Sequence, residues 1–153
     1  MYQIRRATEA DAISLAPRLR EADLEELQAS GDHDPEESLL LGVREGDCYV
    51  CADIESGLPH VIFGTMETEV PFKGLIWMMA SPALKTYWIQ LLRDTRPVID
   101  NLRGHYKILT NAVYAKNTVH IRWLRWAGFT FLREFKVEGN SFYEFAKLTP
   151  TGD

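Results

Sequence analysis

At residue 47 the apolar residues of this chain stop recurring at helical spacing and begin to alternate. That change of period constrains the fold more than any other feature. Before it lie a strand and short helices. "YQIRRA" reads as a strand and leads into "TEAD", where Thr8 can cap a helix and Asp11, three residues on, can reach back to the cap. The helix carries Ile13, Leu15 and Ala16 until Pro17 interrupts it. Apolar residues resume at Leu19, Ala22 and Leu27 on a second, acidic helix that ends before Gly31. A third begins with Asp34 as N-cap and Pro35 at its first helical position.

After residue 47, "DCYVCADIE", "HVIFGTMETE" and "LIWMMA" are separated by the turns "SGLP" and "PFKG", which predicts a three-strand antiparallel meander. "SPALKTYWIQLLRD" opens a longer helix, with Ser81 as N-cap and Pro82 in the first turn. Pro97 is expected to kink or break it, and Gly104 to end it. "YKILTNAVYA" is a strand. The chain closes on "GFTFLREFKV" and "FYEFAKL", a hairpin turning at a Gly-Asn pair. With no repeat, linker or low-complexity segment, residues 1–153 read as one domain of the α/β (α+β) class with a mixed, mainly antiparallel sheet.

A hydrophobic share of 46% with 25% charged residues is that of a globular chain. The net charge of −5 is uneven: residues 1–60 hold 14 Asp/Glu against 5 Arg/Lys, and the remainder 8 against 12. An acidic total argues against nucleic acid as the main partner. The first residues carry charges throughout, which predicts no secretory leader, and no run reaches the length of a membrane span. Cys48 and Cys51 lie three apart on a strand, so they point to opposite faces and suit neither a disulfide nor a shared metal.

"NTVHIRWLRWAGFTF" packs two tryptophans, two arginines and a histidine into one run. On a helix, Val119, Trp123 and Trp126 would line one face, widened by Ile121 and Leu124, with Arg122 and Arg125 on the exposed flank. The helix packs and stops at Gly128.

The same run carries a resemblance. Asn117 at the helix start and Gly128-Phe129 eleven residues on, with "IRRATEADAISLA" at the opening, resemble the GCN5-related N-acetyltransferases (GNAT). His120 stands where that family tends to have alanine, and Leu124 where it tends to have tyrosine. "NAVYAKNTVHIRWLRWAGFTF", with "IWMMASPAL" and "LREADLEELQASG", is also similar over nearly the whole chain to the internal virion protein A family of short-tailed bacteriophages.

The first resemblance implies acetyl-CoA as cofactor and an amine as acceptor. Met78, Met79 and Ala80 would supply backbone contacts to the pantetheine arm; a buried apolar strand is the other reading of the same residues. Lys85 would add charge near the phosphates and Asn117 would border the cofactor. The loop "MASPALKTYW" has none of the glycines that let a pyrophosphate approach a helix N-terminus. Glu67 and Glu69, read as lying on one side of a strand, and His120 are candidates for the base; solvent-facing alternation and a structural histidine are the alternatives. The second resemblance implies a phage protein that keeps the fold without the chemistry. It would work as a virion, assembly or host-interaction component in the host cytoplasm or the particle, with a virion or host protein as partner.

Overall fold

The computed structural model describes residues 2–31, 34–102 and 106–148. Strand β1 (Tyr2–Arg6) leads into helix α1 (Glu9–Leu15), a 3₁₀ turn (Ala16–Arg18), α2 (Glu21–Ala29) and α3 (Pro35–Glu45). The meander follows as β2 (Asp47–Asp53), β3 (Pro59–Glu67) and β4 (Lys73–Ala80). Helix α4 (Leu84–Leu102), β5 (Ile108–Tyr114), α5 (Thr118–Trp126), β6 (Thr130–Val137) and β7 (Asn140–Leu148) complete the order.

The strands form a seven-stranded sheet in the order β1-β2-β3-β4-β5-β7-β6. Every neighbouring pair is antiparallel except β4 and β5. Alternation along β4 sorts its side chains between two layers. Ile76, Met78 and Ala80 pack with Leu84, Leu91 and Ile99 of α4 and Trp123 and Leu124 of α5. Trp77 and Met79 face the opposite way, toward the cluster built from α1 and α3. Cys48 and Cys51 divide between the same two layers, and both are free and buried. Burial pushes the Cys48 thiol up to about 12 and raises Cys51 as well, so both stay protonated.

Local signals hold where they are self-contained. Thr8 and Asp11 form the reciprocal capping box, and Asp34 caps α3 ahead of Pro35. Gly128 takes φ 91°, with its N–H on Arg125 and the Phe129 N–H on Leu124, which closes α5 in a Schellman motif.

Four expectations change. Helix α4 runs through Pro97, because Leu91 and Ile99 on either side of it are buried against the sheet. That helix starts at Leu84, with Ser81–Ala83 as a turn before it, because Ser81 spends its hydroxyl on the Ala83 N–H. The final hairpin is centred on Glu138-Gly139 (φ 50° and 84°), one residue before the expected pair, since both central positions of such a turn need positive φ. The buried face of α5 runs through His120, Trp123, Leu124 and Ala127, leaving Trp126 46% exposed beside the Arg96 guanidinium. Gly104 falls outside the described residues.

The meander depends on one close approach. A Cβ on Gly64 of β3 would lie 2.3 Å from the Asp47 carbonyl oxygen and 2.8 Å from the Cys48 Cα of β2. Backbone cannot rotate away as a side chain can. Gly64→Ala is therefore expected to destabilise the fold by about 1–3 kcal/mol in urea unfolding, although alanine suits strands no worse than glycine.

Candidate functional site

Strands β4 and β5 pair only from Lys73–Leu75 against Ile108–Thr110 and then part. Beyond that point, β4 presents an edge to the gap. Ile76 offers its carbonyl, which accepts from the Asn111 side chain at 2.9 Å. At Ala80 the N–H donates to Asp23 Oδ2 at 2.9 Å and the carbonyl accepts from the Arg20 N–H at 2.8 Å. Antiparallel pairing alternates, so Met78, midway between these two, also turns its N–H and carbonyl into the gap, while Trp77 and Met79 bond to β3.

The gap lets helices on opposite faces of the sheet touch. Asp23 and Glu26 are one helical turn apart on α2; Asn117 and His120 are three residues apart at the start of α5. Arg20 holds Asp23 through two bonds, at 3.0 and 2.8 Å, and also donates to Asn117 Oδ1 at 3.2 Å. Asn117 Nδ2 donates to Asp23 at 3.1 Å and to Glu26 at 3.3 Å. Glu26 also accepts from the Tyr114 N–H at 2.6 Å. His120 Nδ1 lies 3.6 Å from Glu26 Oε2, and neither of its ring nitrogens has a hydrogen-bond partner among the described residues. Asp23 and Asn117 are each 1% exposed, and His120 is 5%.

Two cavities flank this network. The larger, about 450 Å³, opens at the start of α4 and is lined by Arg20, Glu21, Pro82, Lys85, Val119 and Arg122 among others. The smaller, about 250 Å³, lies in the gap beside Met78, Asn111, Glu26 and His120. At the start of α4, the N–H groups of Ala83, Leu84, Lys85 and Thr86 all have internal acceptors. Positive charge at the larger cavity comes from the Lys85 and Arg122 side chains, with Glu21 also in the lining and Arg20 paired to Asp23.

Of the residues singled out in the sequence, His120, Met78 and Met79 line the smaller cavity in the gap and Lys85 lines the larger. Met79 is bonded to β3 and Ala80 to α2 through their backbones. Asn117 is spent inside the network. Strand β3 ends at Glu67, and Glu69 falls in the following turn, so the two do not share a strand face. Both are exposed, and Glu67 pairs with Gly74, four residues or about 13 Å of strand from Met78. Position thus removes both glutamates from the gap. Leu124, at the tyrosine position, is fully buried.

Sequence reasoning missed Arg20, Asp23, Glu26 and Arg122. The signal was present in part: Asp23 is four residues from Leu27, on the apolar side of α2, where a carboxylate needs a partner. Asp23, Glu26 and His120 bring their ligating atoms within 4.8 Å of one another, a spacing that could suit a metal. Asp23, however, accepts four hydrogen bonds, which fill its lone-pair sites and leave Glu26 and His120 as the available donors.

No family model matches the sequence, and no curated protein matches it significantly. Solved structures do match its fold. YncA of Salmonella typhimurium, described as an acetyltransferase and solved with acetyl-CoA, superposes with a TM-score of 0.74 at 12% identity, covering 99% of this chain and 95% of its own. An acetyltransferase of the GNAT family from Streptococcus pneumoniae gives 0.65 at 18% identity over 98% and 100%. The aminoglycoside acetyltransferase AAC(6')-Ib bound to coenzyme A gives 0.68 at 16% over 97% and 95%. The chain has the GNAT acetyltransferase fold. No described helix is long and apolar enough to cross a membrane.

Removing one member of a buried ion pair strands the other. Asp23→Ala is expected to destabilise the protein by about 3–5 kcal/mol in urea unfolding. The paired change Arg20→Met with Asp23→Leu should destabilise it less, because no charge is left unpaired.

Proposed function

We propose that the protein binds acetyl-CoA along the open edge of β4 and passes the acetyl group to an amine. The observation that supports this most is the parting of β4 and β5 after Leu75 and Thr110, which turns the Met78 backbone into a gap, with a cavity lined by Lys85 and Arg122 on the other side of the Arg20–Asp23–Asn117 network at the start of α4. The pantetheine amides would bond the Met78 N–H and carbonyl as a short extra strand. Lys85 and Arg122, with the α4 dipole, would take the phosphates. That neighbours of this fold were solved with coenzyme A or acetyl-CoA supports the cofactor.

The transfer needs few groups. An amine nitrogen attacks the thioester carbonyl, the C–N bond forms, and collapse of the tetrahedral intermediate breaks C–S. His120 lines the gap and would take the proton of the incoming ammonium. With Leu124 where an acid would stand, the leaving thiolate takes its proton from the attacking nitrogen or from solvent.

A second reading has its own support. Ala80 is closed off by α2, the α4 turn has its N–H groups satisfied internally, and no acid occupies the Leu124 position. These features suit a phage virion, assembly or host-interaction component that keeps the fold as a scaffold.

Acetyl-CoA titration separates the two. Cofactor at one hundred times its Kd should stabilise the native state by about 2.7 kcal/mol in thermal unfolding. Lys85→Glu and Arg122→Glu should each weaken calorimetric binding several-fold, more so at low salt. No stabilisation at millimolar cofactor would leave the scaffold reading, which then requires the protein to be found in purified particles.

A further inference from the structure

We infer that the 250 Å³ cavity in the gap is the acceptor subsite and that it takes a compact primary amine with a single apolar or aryl body, its ammonium held by Glu26 and its proton taken by His120. The inference rests on the transfer reading above and names the substrate class for it.

His120 is 95% buried, yet both ring nitrogens lack a hydrogen-bond partner among the described residues. A buried polar group is ordinarily satisfied, so an orphaned imidazole facing a cavity marks a place where a ligand supplies the bond. The 3.6 Å between Nδ1 and Glu26 Oε2 is too long for a direct bond. Glu26 is also unsaturated: its Oε1 accepts from Tyr114 and its Oε2 from Asn117, leaving room for a further donor at each oxygen. A primary ammonium has three N–H donors and can reach both residues at once.

The rest of the lining selects the body of that amine. Phe135 and Phe142 stack at 6.1 Å between ring centroids and wall one side of the cavity, with Met78 on the β4 side. Glu26 is the one carboxylate lining the cavity among the described residues, so a second ammonium on the same ligand would meet no counter-charge. At about 250 Å³ the space is small for a ligand site, which favours one ring on a short chain over a polyamine or a peptide lysine.

The step balances. Neutral His120 takes one proton from R–NH₃⁺, giving R–NH₂ and imidazolium. The amine attacks the thioester carbon, C–N forms and C–S breaks. The second nitrogen proton goes to the thiolate, yielding the amide and the thiol, and imidazolium returns its proton to solvent.

The test titrates metal-stripped full-length protein with phenethylamine, phenethyl alcohol and spermidine, reading binding heat and the His120 imidazole resonances, assigned by their loss in His120→Gln. Phenethylamine should move the His120 signals, and the neutral alcohol should not. Spermidine and the Glu26→Gln variant should each show binding about tenfold weaker or more. Gln keeps the acceptor for Tyr114, and thermal unfolding confirms that the variant is folded. Unmoved His120 signals, or equal binding by Glu26→Gln, would overturn the inference. Acetyl-CoA titrated into the same wild-type sample keeps the two proposals apart. Cofactor binding without amine binding sinks the subsite alone, and amine binding without cofactor binding sinks the transfer and with it the acceptor role, leaving only the Glu26–His120 amine contact.

Discussion

The contact on which this structure turns is the one made through the sheet rather than along it. Strands β4 and β5 separate after a short parallel pairing, and the opening is filled by Arg20, Asp23, Glu26, Asn117 and His120 from helices on opposite faces. A gap in a sheet exposes backbone donors and acceptors that would otherwise pair with a neighbouring strand. Here α2 supplies the missing partners at Ala80, with an N–H for the carbonyl and a carboxylate for the amide. The buried charges are tolerable because each is bonded several times over. Asp23 accepts four bonds, and the Arg20 guanidinium is shared between Asp23 and Asn117. The same network fixes where α5 begins, and so which residues of that helix face the gap.

How much of this was legible depended on the range of the interaction. The Thr8–Asp11 box, the Asp34–Pro35 start and the Gly128 stop are completed within a few residues, and they stand as the sequence implies. The meander follows from alternation, since each strand needs only its own period and the next turn. The two residues on opposite faces, Cys48 and Cys51, follow from the same rule. Asp23 and Glu26 were illegible for the converse reason. Asn117, which joins the two, stands more than ninety residues away, and in sequence they are two acids among many on an acidic helix. Trp126 misled because a helix nine residues long can turn either of two flanks to the core, and the choice is made by Leu124 and Ala127 meeting the sheet. Glu67 and Glu69 misled because the strand ends between them.

The cleft departs from the arrangement that the GNAT resemblance implies in a coherent way. The loop before α4 contains no glycine, and its N–H groups are satisfied within the turn, so it does not offer bare donors to a phosphate. Lys85 from α4 and Arg122 from α5 put charged side chains on both walls of the larger cavity. Of the β4 edge, one residue in three retains backbone groups turned to the gap and unclaimed by α2 or by Asn111. That residue is Met78. Under the proposed transfer reading, the cofactor's backbone contact would narrow from a stretch of strand to that single position.

Amide hydrogen exchange at Met78, resolved by NMR with and without acetyl-CoA, tests that claim most directly. The account predicts fast exchange at Met78 in the free protein, between slowly exchanging Trp77 and Met79 that bond to β3, and marked slowing at Met78 once acetyl-CoA is added. An amide at Met78 that is already protected, or one whose exchange acetyl-CoA leaves unchanged, would contradict it.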